Sequence, residues 1–163
     1  MGGYYLTILV RATDADEAKT VAECAIDDWF ESGHLNIGDH GYVAENEPIV
    51  CGSDNPTAFV NALHEAQTMR RGKISYYLSQ LDYYMHECGI TSVQEVKLGE
   101  ESGGDMDMVG YCLKRLGNLI GRNFDTDCGF YDADAYNGGL SPEEMVEIER
   151  EPEGWALITV VVG

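Results

Sequence analysis

The sequence predicts an α+β protein that folds as a single domain over residues 1–163. Its two strongest strand patterns lie at opposite ends of the chain, and most of the helical periodicity lies between them. With 163 residues, 44% of them hydrophobic, the chain is long and apolar enough to bury one core without disulfides. We therefore expect a small sheet of three to four strands that contains both terminal strands and is covered on one face by three to five helices.

The first half of the chain predicts a strand followed by a helix. Residues 4–11 alternate between apolar and more polar side chains, which is the period of a strand. From residue 14 to residue 32, apolar residues recur at helical spacing, and Asp14 followed by Glu17 is a variant of the capping box. Glycines interrupt the pattern over residues 34–52, so one or two short strands fit that segment best.

The second half predicts three more helices and a final strand. Asn55 before a proline predicts the start of a long helix, which Gly72 either breaks or weakens. Residues 109–120 form a second amphipathic pattern, and Ser141 before a proline starts a short third helix. Residues 155–162 are apolar on both faces apart from one threonine, as is typical of a strand in the middle of a sheet.

Charge restricts the function more than any motif does. The chain has 29 Asp and Glu residues against 10 Lys and Arg residues, a formal net charge of −19. Such a surface repels nucleic acid backbones and anionic lipids, so we expect no direct nucleic-acid partner and no membrane partner. Because the acidic residues are spread along almost the whole chain, we expect them to keep the protein dissolved in molar intracellular salt, where repulsion is screened.

The sequence also predicts a cytoplasmic location, in the host cell if the protein is viral. The first residues lack the basic and apolar regions of a secretion signal, and no run reaches the ~18 apolar residues that a membrane helix needs. Five widely spaced cysteines are typical of reduced thiols and not of a disulfide framework. No motif predicts a cofactor.

An acidic segment supplies a candidate calcium or magnesium site. Oxygen ligands suit these cations, and the candidate ligands are Asp125, Asp127, Asp132, Asp134 and Glu143. The spacing only partly matches a calcium loop, because the glycine expected at the sixth position from Asp132 comes one residue late. A solvated acidic loop is the competing interpretation, and a small metal-dependent hydrolase is the enzyme that this site would support.

The long helix carries the candidate interaction residues. Two tyrosine pairs repeat at a spacing of seven, and they suggest either core packing or an aromatic contact surface for a homodimer or a host protein; they are Tyr76, Tyr77, Tyr83 and Tyr84. Three of the ten basic residues fall within four positions of the same helix, at Arg70, Arg71 and Lys73. This basic cluster either grips an acidic partner or neutralises neighbouring acidic groups of the same molecule.

The end of the chain resembles uncharacterised acidic proteins of haloarchaea, their viruses and phages. The resemblance rests on residues 131–136, read Tyr-Asp-Ala-Asp-Ala-Tyr, a capped helix, and residues 152–157, read Pro-Glu-Gly-Trp-Ala-Leu, before an apolar strand. The opening strand and acidic helix are similar too. The resemblance implies a compact viral or prophage accessory protein with no assigned activity. Our first hypothesis is therefore a non-enzymatic accessory or interaction protein of a halophilic archaeon or its virus. The alternatives are a DNA mimic that inhibits a host nuclease, restriction or CRISPR protein, and the metal-dependent hydrolase.

Overall fold

The protein has an α+β fold built on one mixed sheet. The computed structural model describes residues 3–96 and 104–163. Within these ranges the five strands are β1 (Tyr4–Arg11), β2 (Gly41–Val43), β3 (Val50–Cys51), β4 (Phe130–Asp132) and β5 (Trp155–Val162). The four α-helices are α1 (Ala15–Glu31), α2 (Pro56–Glu87), α3 (Asp105–Ile120) and α4 (Pro142–Arg150). Short 3-10 turns cover Val93–Glu95 and Pro152–Gly154.

The two strands at the ends of the chain form the centre of the sheet. β1 and β5 pair antiparallel along their whole length, with Tyr4 opposite Val162 and Arg11 opposite Trp155. β4 adds to β1 in parallel, while β2 and β3 both pair antiparallel with β5. The expected pairing of the end strands is therefore confirmed, and the sheet has five strands where three to four were predicted.

Helices cover both faces of the sheet, so the prediction of a single covered face was wrong. On β1, Leu6, Ile8 and Val10 belong to a core shared with α1 and α3. The intervening Leu9 belongs to a second core, shared with the first half of α2 and with α4. Since successive side chains of a strand point to opposite faces, the two cores lie on opposite sides of one sheet.

The long helix α2 contributes to both cores. Phe59 and Leu63, in its first half, pack in the second core, and Tyr77 and Leu81 pack in the core on the α1 side. The helix contains 32 residues and continues through Gly72, so that glycine weakens the helical pattern without ending the helix. One continuous helix thus links the packing on the two sides of the sheet.

Side-chain caps fix where three helices begin, and they confirm the predicted starts. Asp14 Oδ1 accepts a hydrogen bond from the Glu17 amide at 2.8 Å. Asn55 and Ser141 accept equivalent bonds from amides three residues on, at 3.0 and 3.2 Å. Each cap satisfies a backbone donor that has no partner within its helix, a contribution of about 1 kcal/mol.

Candidate functional site

The five carboxylates of the predicted cation site do not converge. Asp125 and Asp127 lie beside α2 and α3, whereas Asp132 and Asp134 lie at the end of β4, and Glu143 is exposed in the first turn of α4. Among residues 3–96 and 104–163, no group of three or more His, Cys, Asp or Glu side chains is arranged to hold a metal ion. The first four carboxylates instead bond to groups of the protein itself.

Asp125 and Asp132 are the two buried members of this set. The Asp125 side chain is 1% exposed and forms an ion pair with Arg115 of α3. Asn118 donates to its other oxygen at 3.1 Å, and the Asp127 amide donates at 2.9 Å. Three donors therefore surround the buried charge, as a carboxylate removed from water requires.

Asp127 joins the loop to α2. Lys73 Nζ lies 2.7 Å from Oδ1, and the Tyr77 hydroxyl donates to Oδ2 at 2.6 Å. Burial by itself raises the pKa of Asp127, but the bonds from Lys73 and Tyr77 outweigh it and lower that pKa below the usual value. Burial and the bond to Asp127 raise the pKa of Tyr77, which therefore keeps its proton. The predicted basic and tyrosine residues thus hold the acidic loop in place.

Asp132 and Asp134 shape the turn after β4. Asp132 Oδ1 accepts bonds from the Asp134 and Ala135 amides at 3.0 and 3.2 Å, which closes a tight turn. Burial raises the pKa of Asp132 to about 6 despite these two bonds. Asp134 pairs with Arg11 Nε at 3.1 Å, on the exposed end of β1. Both carboxylates therefore have structural roles at the edge of the sheet.

The basic cluster of α2 divides between interior and surface. Arg70 is 8% exposed, and its guanidinium donates to the Leu119 carbonyl at the end of α3. Its Nε has no hydrogen-bond partner among the described residues and lies against Gly139, where an added Cβ would stand 2.5 Å from the Arg70 Cδ. Burial lowers the pKa of this guanidinium. Arg71 alone of the cluster is fully on the surface.

The two tyrosine pairs have one inward and one outward member each. Tyr76 and Tyr83 are each 55% exposed, whereas Tyr77 is buried and Tyr84 is half-buried. Met69, 45% exposed, precedes Tyr76 by seven residues, so the three exposed side chains lie along one stripe of α2. We call Met69, Tyr76 and Tyr83 the outer stripe. The spacing of seven identifies the two tyrosine pairs but not Met69, and only the structure shows which member of each pair faces outward.

A further pocket lies where the end of α1 meets the loop after α3 and the turn after β4. The pocket has a volume of about 410 Å³ and is lined by Trp29, Phe124, Tyr131, Tyr136, the ring of His34 and the carboxylate of Asp28. A serine and two asparagines complete its lining. We call it the aromatic pocket. Sequence reasoning missed it because its residues come from three separated segments with no common spacing.

Comparisons with known proteins add no assignment to this geometry. No protein-family model, curated protein or solved structure matches the chain. No α-helix in the described residues is both long and apolar enough to span a membrane. The resemblance of the chain ends to haloarchaeal and viral proteins stays a prediction, and the function has to be inferred from the charges, the outer stripe and the aromatic pocket.

Proposed function

We propose that the chain is a non-enzymatic accessory protein of a halophilic archaeon or its virus, which binds another protein molecule in the cytoplasm. The observation that supports this best is the distribution of exposed carboxylates. They occur on every helix and on the loops between them: Asp14, Asp16, Glu17, Glu23, Asp27, Asp28, Glu31, Glu45, Glu47, Asp54, Glu65, Asp82, Glu87, Glu95, Asp105, Asp107, Asp134, Glu143, Glu147, Glu151 and Glu153. A DNA mimic would instead concentrate its carboxylates on one side.

Of the nine described Lys and Arg residues five are exposed, against 21 exposed carboxylates. Arg70 is buried, and Lys73, Arg115 and Arg122 are only partly exposed because they bond to the loop after α3 and to α4. These four side chains bond to groups of the protein itself, and the solvent-exposed surface is strongly anionic. Such a surface holds water and repels itself unless salt screens it, with a Debye length of about 3 Å at 1 M against about 10 Å at 0.1 M.

Salt dependence of stability tests this proposal. We expect the thermal unfolding midpoint, followed by circular dichroism, to fall by roughly 10 °C or more when KCl is lowered from molar to ~0.1 M. A variant that neutralises three exposed carboxylates of α1, Glu23→Gln, Asp27→Asn and Glu31→Gln, should lose part of that dependence. A midpoint that stays the same in dilute KCl would contradict the proposal and favour a specific cationic partner.

The outer stripe is the surface that best suits a partner. No Asp or Glu occurs in residues 66–81 of α2, which include Met69 and Tyr76, or in residues 108–124, which include most of α3. Tyr83 lies next to the exposed Asp82. The helices α2 and α3 pack together, and the rings of Tyr77 and Tyr111 lie 6.2 Å apart between them. A second copy of this chain can therefore approach here with less like-charge repulsion than elsewhere. Apolar contacts of this kind keep their strength in molar salt, where charge pairing weakens.

Self-association of the outer stripe can be measured directly. We expect sedimentation velocity in molar KCl to show a dimer that dissociates when Tyr76 and Tyr83 are both changed to serine, because exposed aromatic side chains contribute much of the energy of such interfaces. Tyr42→Ser is the matched control, since Tyr42 is 54% exposed and lies on β2, away from the stripe. A monomer at all concentrations would instead assign the stripe to a host protein or to no partner.

A further inference from the structure

The aromatic pocket is walled by rings that contact one another. The ring centroids of Trp29 and Phe124 are 4.8 Å apart, and Tyr131 meets them edge-on at 5.3 and 5.5 Å. The His34 ring stacks on Phe124 at 4.9 Å. Tyr136, 65% exposed, forms an outer wall. Trp29 and Tyr131 are each only 2% exposed. A small ligand in this volume would therefore meet mainly the rings of Phe124, His34 and Tyr136.

The charges around the pocket determine whether it favours a cationic or an anionic ligand. Among the described residues, Asp28 is the only carboxylate in the lining, and no Lys or Arg lines the pocket. In the ranges that the structure covers, the Asp28 carboxylate has no ion-pair partner. An anion is disfavoured here, whereas a cation is attracted by both the carboxylate and the ring faces.

The backbone that places the pocket wall is strained. Among residues 3–96 and 104–163, only Arg122 and Tyr136 are non-glycine residues with positive φ, at 60° and 57°. Tyr136 lines the pocket, and Arg122 directly precedes the lining residues of the loop after α3. Arg122 is held by bonds to Glu144 at 2.8 Å and to the Gly139 carbonyl at 3.1 Å. Strained residues that the surrounding structure holds in place cluster at ligand sites.

We propose that the aromatic pocket binds a quaternary ammonium group. Such a group carries positive charge on an apolar, methylated surface, so it gains from aromatic faces and from one carboxylate without needing hydrogen-bond donors or acceptors. Either a free quaternary ammonium solute or a trimethylated lysine side chain supplies this chemistry. The inference is independent of the outer stripe and of the reason for the acidic surface.

Calorimetry with four probes tests the proposal. Tetramethylammonium, choline and a short peptide containing trimethyl-lysine each carry the group, while 3,3-dimethylbutanol has the shape of choline without its charge. The titrations use the whole chain at the lowest KCl concentration at which circular dichroism shows it folded. We expect saturable binding of the charged probes and at least about tenfold weaker binding of the neutral one. Whichever of choline and the trimethyl-lysine peptide binds more tightly identifies the natural source of the quaternary ammonium group.

Two variants place the binding in this pocket. Asp28→Asn should weaken choline binding about tenfold, whereas Asp27→Asn, the same charge change on the neighbouring exposed residue of α1, should leave it within about twofold. Tyr136→Asn should weaken it several-fold, because asparagine accepts the positive φ but has no ring. Equal binding of the neutral probe, equal effects of the two aspartate variants, or no heat from any charged probe would overturn the proposal. None of these outcomes bears on the KCl dependence.

Discussion

Replacing Arg115 with methionine is expected to destabilise the protein by about 3 kcal/mol or more, because it leaves the Asp125 carboxylate buried without its cation. The Asp125 side chain is 1% exposed, so water cannot take the place of the guanidinium. Asn118 and the Asp127 amide would still donate to it, but two neutral donors do not replace an ion pair. The measurement is the free energy of unfolding from denaturant titration at constant KCl.

Two further variants identify the cause of that loss. Arg115→Met combined with Asp125→Asn should recover most of the stability, since the amide oxygen can still accept from Asn118 and from the Asp127 amide. Lys114→Met removes an exposed positive charge from the neighbouring position of α3 and should change stability by no more than about 0.5 kcal/mol. If the double variant is as unstable as Arg115→Met, lost packing and not the unpaired charge is responsible.

Replacing Gly52 with alanine is the other change from which we expect a large loss, about 3 kcal/mol, or roughly 10 °C in the unfolding midpoint. A Cβ at Gly52 would lie 2.6 Å from the Pro152 carbonyl carbon and closer still to its oxygen. The obstacle is backbone, which cannot rotate away as a side chain can. Gly52 also donates its amide to the Trp155 carbonyl at 2.8 Å, so relief of the clash would pull β3 away from the start of β5.

A second glycine provides the control for this prediction. Gly110 lies in the interior of α3, exposed, and an added Cβ there meets nothing within 4 Å. Gly110→Ala should therefore raise the free energy of unfolding by up to about 1 kcal/mol, through helix propensity alone. If Gly52→Ala is as stable as the natural chain, the approach of Gly52 to the Pro152 backbone is not as close as the structure indicates.

Local patterns predicted the elements whose partners are close in sequence. The cap formed by Asp14 and Glu17, the cap at Ser141 and the alternation along β1 all depend on neighbours within a few residues. Residues 155–162 were apolar on both faces, which implies a buried strand covered from both sides. The prediction of helices on one face was inconsistent with this pattern, because a strand that is apolar on both faces needs cover on both.

The candidate site depended on contacts that a local pattern does not contain. The acidic segment suggests a solvated loop, yet Asp125 is buried and Asp127 half-buried. Arg115 and Lys73, from two different helices, compensate these two charges. Burial along α2 shows the same dependence on distant contacts. Tyr77 and Leu78 are adjacent hydrophobic residues, but Tyr77 is buried and Leu78 is 47% exposed. The position of α3 determines which of the two is buried, since the Tyr77 ring packs towards Tyr111 of that helix.

The order of strands along the chain affects how the protein folds during its synthesis. β5 pairs with β1, β2 and β3, yet it is the last of the five strands to leave the ribosome. At 5–20 residues per second, β1 waits for its main partner for roughly 10 to 30 seconds. During that interval β1 can be covered only by segments made before β5, such as α1 and β4, or by a chaperone. The sheet therefore closes after translation of β5, and folding is limited by the encounter of segments separated by almost the whole chain.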